Sequence, residues 1–309
     1  MKKRLWYLVL CALFLSMLMP VTVLGADAGD FVVTGGALGT DFTYAANVLT
    51  FIQPGTYTVS MKNPGPGAVT VNDRILIDAG TSVNPVNLTL DNVGILGAIN
   101  GYCPLDLHIS SYVNLTLIGI SDLISGADHA GIFCPQGASI TIGGSGSLHA
   151  QGGSLGAGIG GNSISSNSGA ITITGGKVSA AGGSQAAGIG GSDYSNASTV
   201  SISGGTVFAR GGEGGAGIGG GNHGNGGTVY ISGGSVMATA TDGGEKIGRG
   251  GLGGSSGTLT NGSGSDVYLT TVTLDGVDPG TAIHSLTTSA TYGINGVQTH
   301  TGGQLYLYL

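Results

Sequence analysis

Asp78 and Asp106 are the two residues whose spacing most directly suggests chemistry. Aligning Ile77 with Leu105, 28 residues apart, places both aspartates at the same outward position of neighbouring repeats. At a strand spacing of about 5 Å two carboxylates repel unless a cation lies between them. Calcium, a hard ion that takes oxygen ligands, suits such a pair. Asp73, Asp91, Asp122 and Asp128 enrich the same stretch in acid. The competing reading is a set of solvated turn aspartates, since Asp favours turns by bonding its own backbone.

A lyase reading would look for a Lys or Arg general base on the same face as these acids. Arg74 is the only basic residue among the acidic repeats. Arg210 is several repeats away, and Lys177 and Lys246 start strands at corners. No catalytic set assembles from these positions. The histidines at 108, 129, 149, 223, 284 and 300 match neither a zinc spacing nor a triad with a nucleophile elbow.

Aromatic rings provide another chemistry, because flat apolar faces stack on sugars. Tyr230 projects outward from one strand and Phe208, beside Met237, from the next, so a stacked Tyr230/Phe208 patch is expected. Tyr112 and Tyr194 are placed in loops as further ligand contacts. Isolated exposed aromatics are also ordinary surface features. Thr141, Thr172 and Ser201 share an outward column that Tyr230 interrupts; it reads as β-favouring surface rather than an ice-binding array. Residues 261–269 copy the calcium nonapeptide repeat once and imperfectly, and that repeat works in tandem.

These residues must be positioned by the repeat that fills the chain. The pentapeptide AGIGG occurs at 157–161, 187–191 and 216–220, with a degenerate copy around Ile247. Its isoleucines, Ile159, Ile189, Ile218 and Ile247, are spaced 30, 29 and 29. Each copy precedes a polar loop, a strand such as 199–203, a Gly-Gly corner and a second strand such as 206–209. Alternation turns Ile171/Ile173, Val200/Ile202 and Val229/Ile231 inward on the first strand. Val178/Ala180, Val207/Ala209 and Val236/Ala238 do the same on the second. Short β-branched runs broken by glycine exclude helices. The period, about 29 residues with three short strands per turn, predicts an all-β, right-handed parallel β-helix.

Upstream, Tyr57/Val59 maps to Leu88/Leu90, then to Leu115/Leu117, Ile140/Ile142 and Ile171/Ile173, at steps of 31, 27, 25 and 31. Leu105 and Ile132 extend the Ile159 column backwards. Roughly seven or eight coils result, a stack of about 35–40 Å. The expected organisation is a signal peptide at 1–25, an N-terminal cap at 26–60, the β-helix at 61–264 and a small β cap or module at 265–309. Cys103 and Cys134 sit on opposite sides of the Leu105/Ile132 register, about 13 Å apart along the strand, so they are expected as free buried thiols.

Residues 1–25 carry a basic start, an apolar run to Met19, Pro20 and then small residues, the order of a secretory signal. Secretion or display at the cell surface follows as an expectation, with no membrane insertion after cleavage. Loss of Lys2, Lys3 and Arg4 leaves six basic against sixteen acidic residues, a net charge of −10. No basic stripe exists, which argues against nucleic acid. The 64 glycines among 309 residues lack a collagen period, and 40% hydrophobic content with 8% charge argues against disorder.

The AGIGG loops, the SISGGTV strand pairs, the early NLTLDNV segment and the closing GQLYLYL resemble one family. It comprises glycine-rich, secreted right-handed β-helix proteins of Gram-positive anaerobes. These are related to a clostridial carbohydrate-binding β-helix family similar to polysaccharide lyases. The resemblance covers about residues 30–309. It implies binding of extracellular or cell-wall polysaccharide, with calcium as a possible cofactor. Three functions remain open: a non-catalytic glycan binder or adhesin, a lyase-like enzyme, and a structural stalk.

Overall fold

A computed structural model describes residues 25–260, except 66, 98–101, 127 and 164, together with the backbone of Thr291–Tyr292 and Gln298–Thr299. The proposed signal peptide and nearly all of the C-terminal module lie outside the described residues. What is described is all β, a parallel solenoid of seven coils. Each full coil lays one strand on each of three faces in turn. The first face runs from Gly55–Met61 through Val86–Asp91, Tyr112–Ile118, Ser139–Gly144, Ala170–Ile173, Thr199–Ile202 and Thr228–Ile231 to Thr258–Thr260. The second comprises Gly94–Gly97, Ile120–Ser125, Ser147–Gln151, Lys177–Ala181, Thr206–Glu213 and Ser235–Thr241. The third climbs from Val48–Phe51 through Arg74–Ile77, Leu105–Leu107 and Ile132–Phe133 to the two-residue strands at Ile159, Ile189, Ile218 and Ile247.

Strand alternation puts every second side chain into the interior. Ile132, Ile159, Ile189 and Ile218 form one fully buried column, and Val178, Val207 and Val236 another. Short loops keep the third-face column in register at steps of 27 to 30 residues from Ile75 to Ile247.

Two upstream registers differ from the expected ones. Leu115 pairs with Ile142 rather than Ile140, and Leu105 pairs with Ile75 rather than Ile77. Both differences are two residues. A one-residue slip would expose the core, but a two-residue slip keeps the same side chains inward, so alternation alone does not detect it.

The N-terminal end is closed by antiparallel strands. Ala26–Ala28 pairs with Phe31–Thr34, which pairs with Gly55–Met61, while Phe42–Ala45 folds back on Val48–Phe51. Phe31, Phe42, Phe51 and Tyr57 fill this end, with the Phe51 and Tyr57 rings 4.7 Å apart. Asp73 ties the cap to the first coil. Its carboxylate accepts the Asp30 N–H at 2.6 Å and the Tyr44 hydroxyl at 2.8 Å. Cys103 and Cys134 are buried and unbridged.

Candidate functional site

The principal site candidate is a groove of about 920 Å³ along the second face. Its floor is set by the strand register. His149, Ser179, Phe208 and Met237 form one outward column, and Gln151, Ala181, Arg210 and Thr239 form the next. Gly-Gly pairs follow the strands at 152–153 and 182–183 and fall at the register shift within Thr206–Glu213 at 211–212, and they form the bare wall. A Cβ on Gly183 would overlap the Gly153 carbonyl, and one on Gly212 the Gly183 carbonyl, so the wall must be glycine. Four coils give the groove a run of about 14 Å.

Phe208 is half-buried, with the Lys177 ammonium 5.9 Å from its ring centroid. Met237 stands exposed one coil on, and Arg210 two residues along the strand. Glu213 is exposed where the ladder shifts between Arg210 and Glu213. At the other end His149 Nδ1 lies 3.5 Å from Asp122 Oδ1. Lys62, Arg74 and Arg249 each pair with a carboxylate, at 2.6, 3.2 and 3.3 Å. Among the described residues Lys177, Arg210 and Lys246 make no ion pair. Two of those three cations border Phe208: Arg210 lines the groove together with the exposed acid Glu213, and Lys177 stands beside the ring outside the lining.

The four aromatics expected as ligand contacts do not share a surface. Tyr230 lies on the first face, opposite Ser201 and Thr260, while Phe208 lies on the second. No ring contact joins them among the described residues. Tyr112 is not in a loop but begins a first-face strand, because its backbone pairs with Ser139. Tyr194 does sit in a loop, 57% exposed, and its ring stacks on His223 at 3.9 Å and 7°. Asp193, buried beneath, accepts the Tyr194 N–H at 3.0 Å and lies 3.6 Å from His223 Nδ1.

The expected stacking of Asp78 over Asp106 is overturned by the two-residue register difference. Asp106 stands opposite Leu76, and Asp78 faces His108, whose Nδ1 is 3.5 Å from Asp78 Oδ1. Arg74 already occupies Asp106 at 3.2 Å, and its guanidinium lies 4.5 Å from the Tyr102 ring centroid. Burial raises the Asp106 pKa, with Arg74 opposing the shift. Among the described residues no group of three His, Cys, Asp or Glu converges. Two separated carboxylates, one held by a guanidinium, do not fit a calcium site.

Arg210, Lys177, Gln151 and His149 were not expected at a site. The signal was present: the Val178/Val207/Val236 alignment places all of them on one outward face. What alternation does not reveal is that the Gly-Gly bends make that face concave. In comparisons with known proteins, the Beta helix repeat family matches residues 171–193 and 200–222. Each segment takes in the three strands of one coil, starting on a first-face strand and ending past a third-face one. No curated protein and no solved structure matches the chain. A β-helix repeat protein is therefore the identity that fold and comparison support together.

Proposed function

We propose that this is an extracellular, non-catalytic β-helix that binds polysaccharide along the second face, as a glycan-binding or adhesin-like protein. The reading is carried by one observation: the Phe208 ring on the groove floor is flanked by two cations that make no ion pair, Arg210 in the lining, where Glu213 also stands, and Lys177 beside the ring. A ring receives the apolar face of a sugar, and the cations select a carboxylated or sulfated chain. Against catalysis, Arg74 is paired with Asp106 and packed on Tyr102, so it is not a free base. The test is affinity electrophoresis of residues 26–309 in gels containing polygalacturonate or heparin. Loss of Phe208 should remove about 2 kcal/mol, close to 30-fold in affinity. Arg210→Ala should weaken binding and its salt dependence, whereas Tyr230→Ala, on another face, should leave both unchanged. EDTA should not release the ligand, because Asp78 and Asp106 do not form a shared cation site. Equal retardation of the parent and the Phe208 and Arg210 variants would refute the proposal.

A further inference from the structure

A second groove, of about 610 Å³, lies on the third face of the early coils. Its floor is the outward column Leu76, Asp106 and Phe133, held in register by the ladder. From the next coil onward the same column is glycine, at 160, 190, 219 and 248. The surface therefore steps down after Phe133, whose ring is half-exposed at the edge of the step. The turns that follow the strands make the walls. The Gln136 N–H donates to the Asn167 carbonyl at 3.1 Å, and Pro135 bridges to Ser168, which holds the 165–167 loop against the groove.

The chemistry here differs from that around Phe208. The Phe133 ring and the Leu76 side chain, with Asp106 between them, are rimmed by the Gln136 and Asn167 amides and the Ser165 and Ser166 hydroxyls. Asp106 is engaged by Arg74 at 3.2 Å, and His108 Nδ1 lies 3.5 Å from Asp78. No unpaired Lys or Arg is among the lining residues. Amides and hydroxyls both donate and accept, which matches sugar hydroxyls, and the ring matches the apolar face of a pyranose.

We infer that the Phe133 groove is a second glycan site, for uncharged polysaccharide. One molecule then bridges a neutral and an anionic polymer through two faces. The Phe133 site goes beyond the reading of the Phe208 groove and does not depend on it; the bridging rests on both.

The test is calorimetric titration of residues 26–309 with cellohexaose, mannohexaose and xylohexaose, and separately with an oligogalacturonate. At least one neutral hexasaccharide should bind. Phe133→Ala should weaken it at least tenfold and leave oligogalacturonate affinity unchanged, and Phe208→Ala should do the reverse. Gln136 is exposed, so Gln136→Ala should weaken neutral binding several-fold without shifting the melting transition. It decides the matter alone if Phe133→Ala does not fold. Absence of neutral binding by the parent, or neutral binding unchanged in Gln136→Ala and in a folded Phe133→Ala, overturns the inference. The acidic titration separately reports on the Phe208 groove.

Discussion

Replacing Gly190 by alanine should split the solenoid at one interface. Gly190 adopts φ +136° in the third-face strand Ile189–Gly190, between Gly160 on one side and Gly219 on the other. A Cβ there would overlap the Gly219 carbonyl oxygen, lie 2.9 Å from its carbonyl carbon and 3.2 Å from the Ala197 Cβ. The obstacle is backbone, and it is tied down: the Gly191 N–H donates to that Gly219 oxygen at 2.9 Å. The methyl must push the coils apart, weakening this bond and the 3.0 Å bond from Ile189 N–H to Gly217, or force residue 190 to another φ. Overpacking costs about 1–3 kcal/mol, and a non-glycine residue in a sparsely populated backbone region about 1–3 more, so the expected loss is about 2–6 kcal/mol. Stability in a solenoid is a sum of nearest-neighbour terms, so the weakened interface should also separate unfolding into two phases. Urea unfolding followed by far-ultraviolet circular dichroism measures both effects. Gly65→Ala is the control: no atom lies within 4 Å of its Cβ, and its change should stay within about 0.5 kcal/mol. If Gly190→Ala unfolds within that margin of the parent, close coil packing does not explain the glycine column.

The remaining expectations concern buried groups. Burial pushes the Cys134 thiol up to about 12 and the Cys103 thiol higher still, so neither should react with a thiol reagent at pH 8 until urea unfolds the chain; rapid native labelling would contradict their burial. Tyr44 is raised from 10.0 to about 12 by burial and by its hydrogen bond to Asp73. Because the folded value is the higher one, the stability from this contact is intact below pH 10.0 and is lost as pH climbs towards about 12. Alkaline titration of melting temperature should show that loss in the parent and lack it in Tyr44→Phe.

The AGIGG coils were legible in register as well as in face, and the reason is the glycine column itself. Gly160, Gly190 and Gly219 each have a neighbouring carbonyl where a side chain would stand, so only an alignment of glycine over glycine can stack. Ile159, Ile189, Ile218 and Ile247 inherit that alignment, and Phe208 falls beside Met237 as the downstream spacing requires. Upstream, Leu76, Asp106 and Phe133 occupy the same column, and side chains of any size can project outward there. Nothing then distinguishes registers two residues apart, and Asp78 was set beside Asp106 when its neighbour is His108.

The same contrast explains why charge is a better guide to the site than acidity. The acidic stretch between residues 73 and 128 drew attention because carboxylates are dense there. In the fold, Asp73 is consumed by the cap, Asp106 by Arg74, and Asp78 and Asp122 each face a histidine on the next coil. Outward neighbours on a solenoid stand about 5 Å apart and opposite charges across a ladder attract, which is how Asp106 is engaged by Arg74 from the neighbouring coil. Among the described residues three of the six Lys and Arg make no ion pair. Lys177 and Arg210 are two of these three, and both flank the Phe208 ring of the second-face groove. A surplus acid could have satisfied either cation by substitution at a neighbouring coil position, such as Ser179 or Thr239, without disturbing the core. Their unpaired state at that ring is the basis on which an anionic ligand is proposed for the groove.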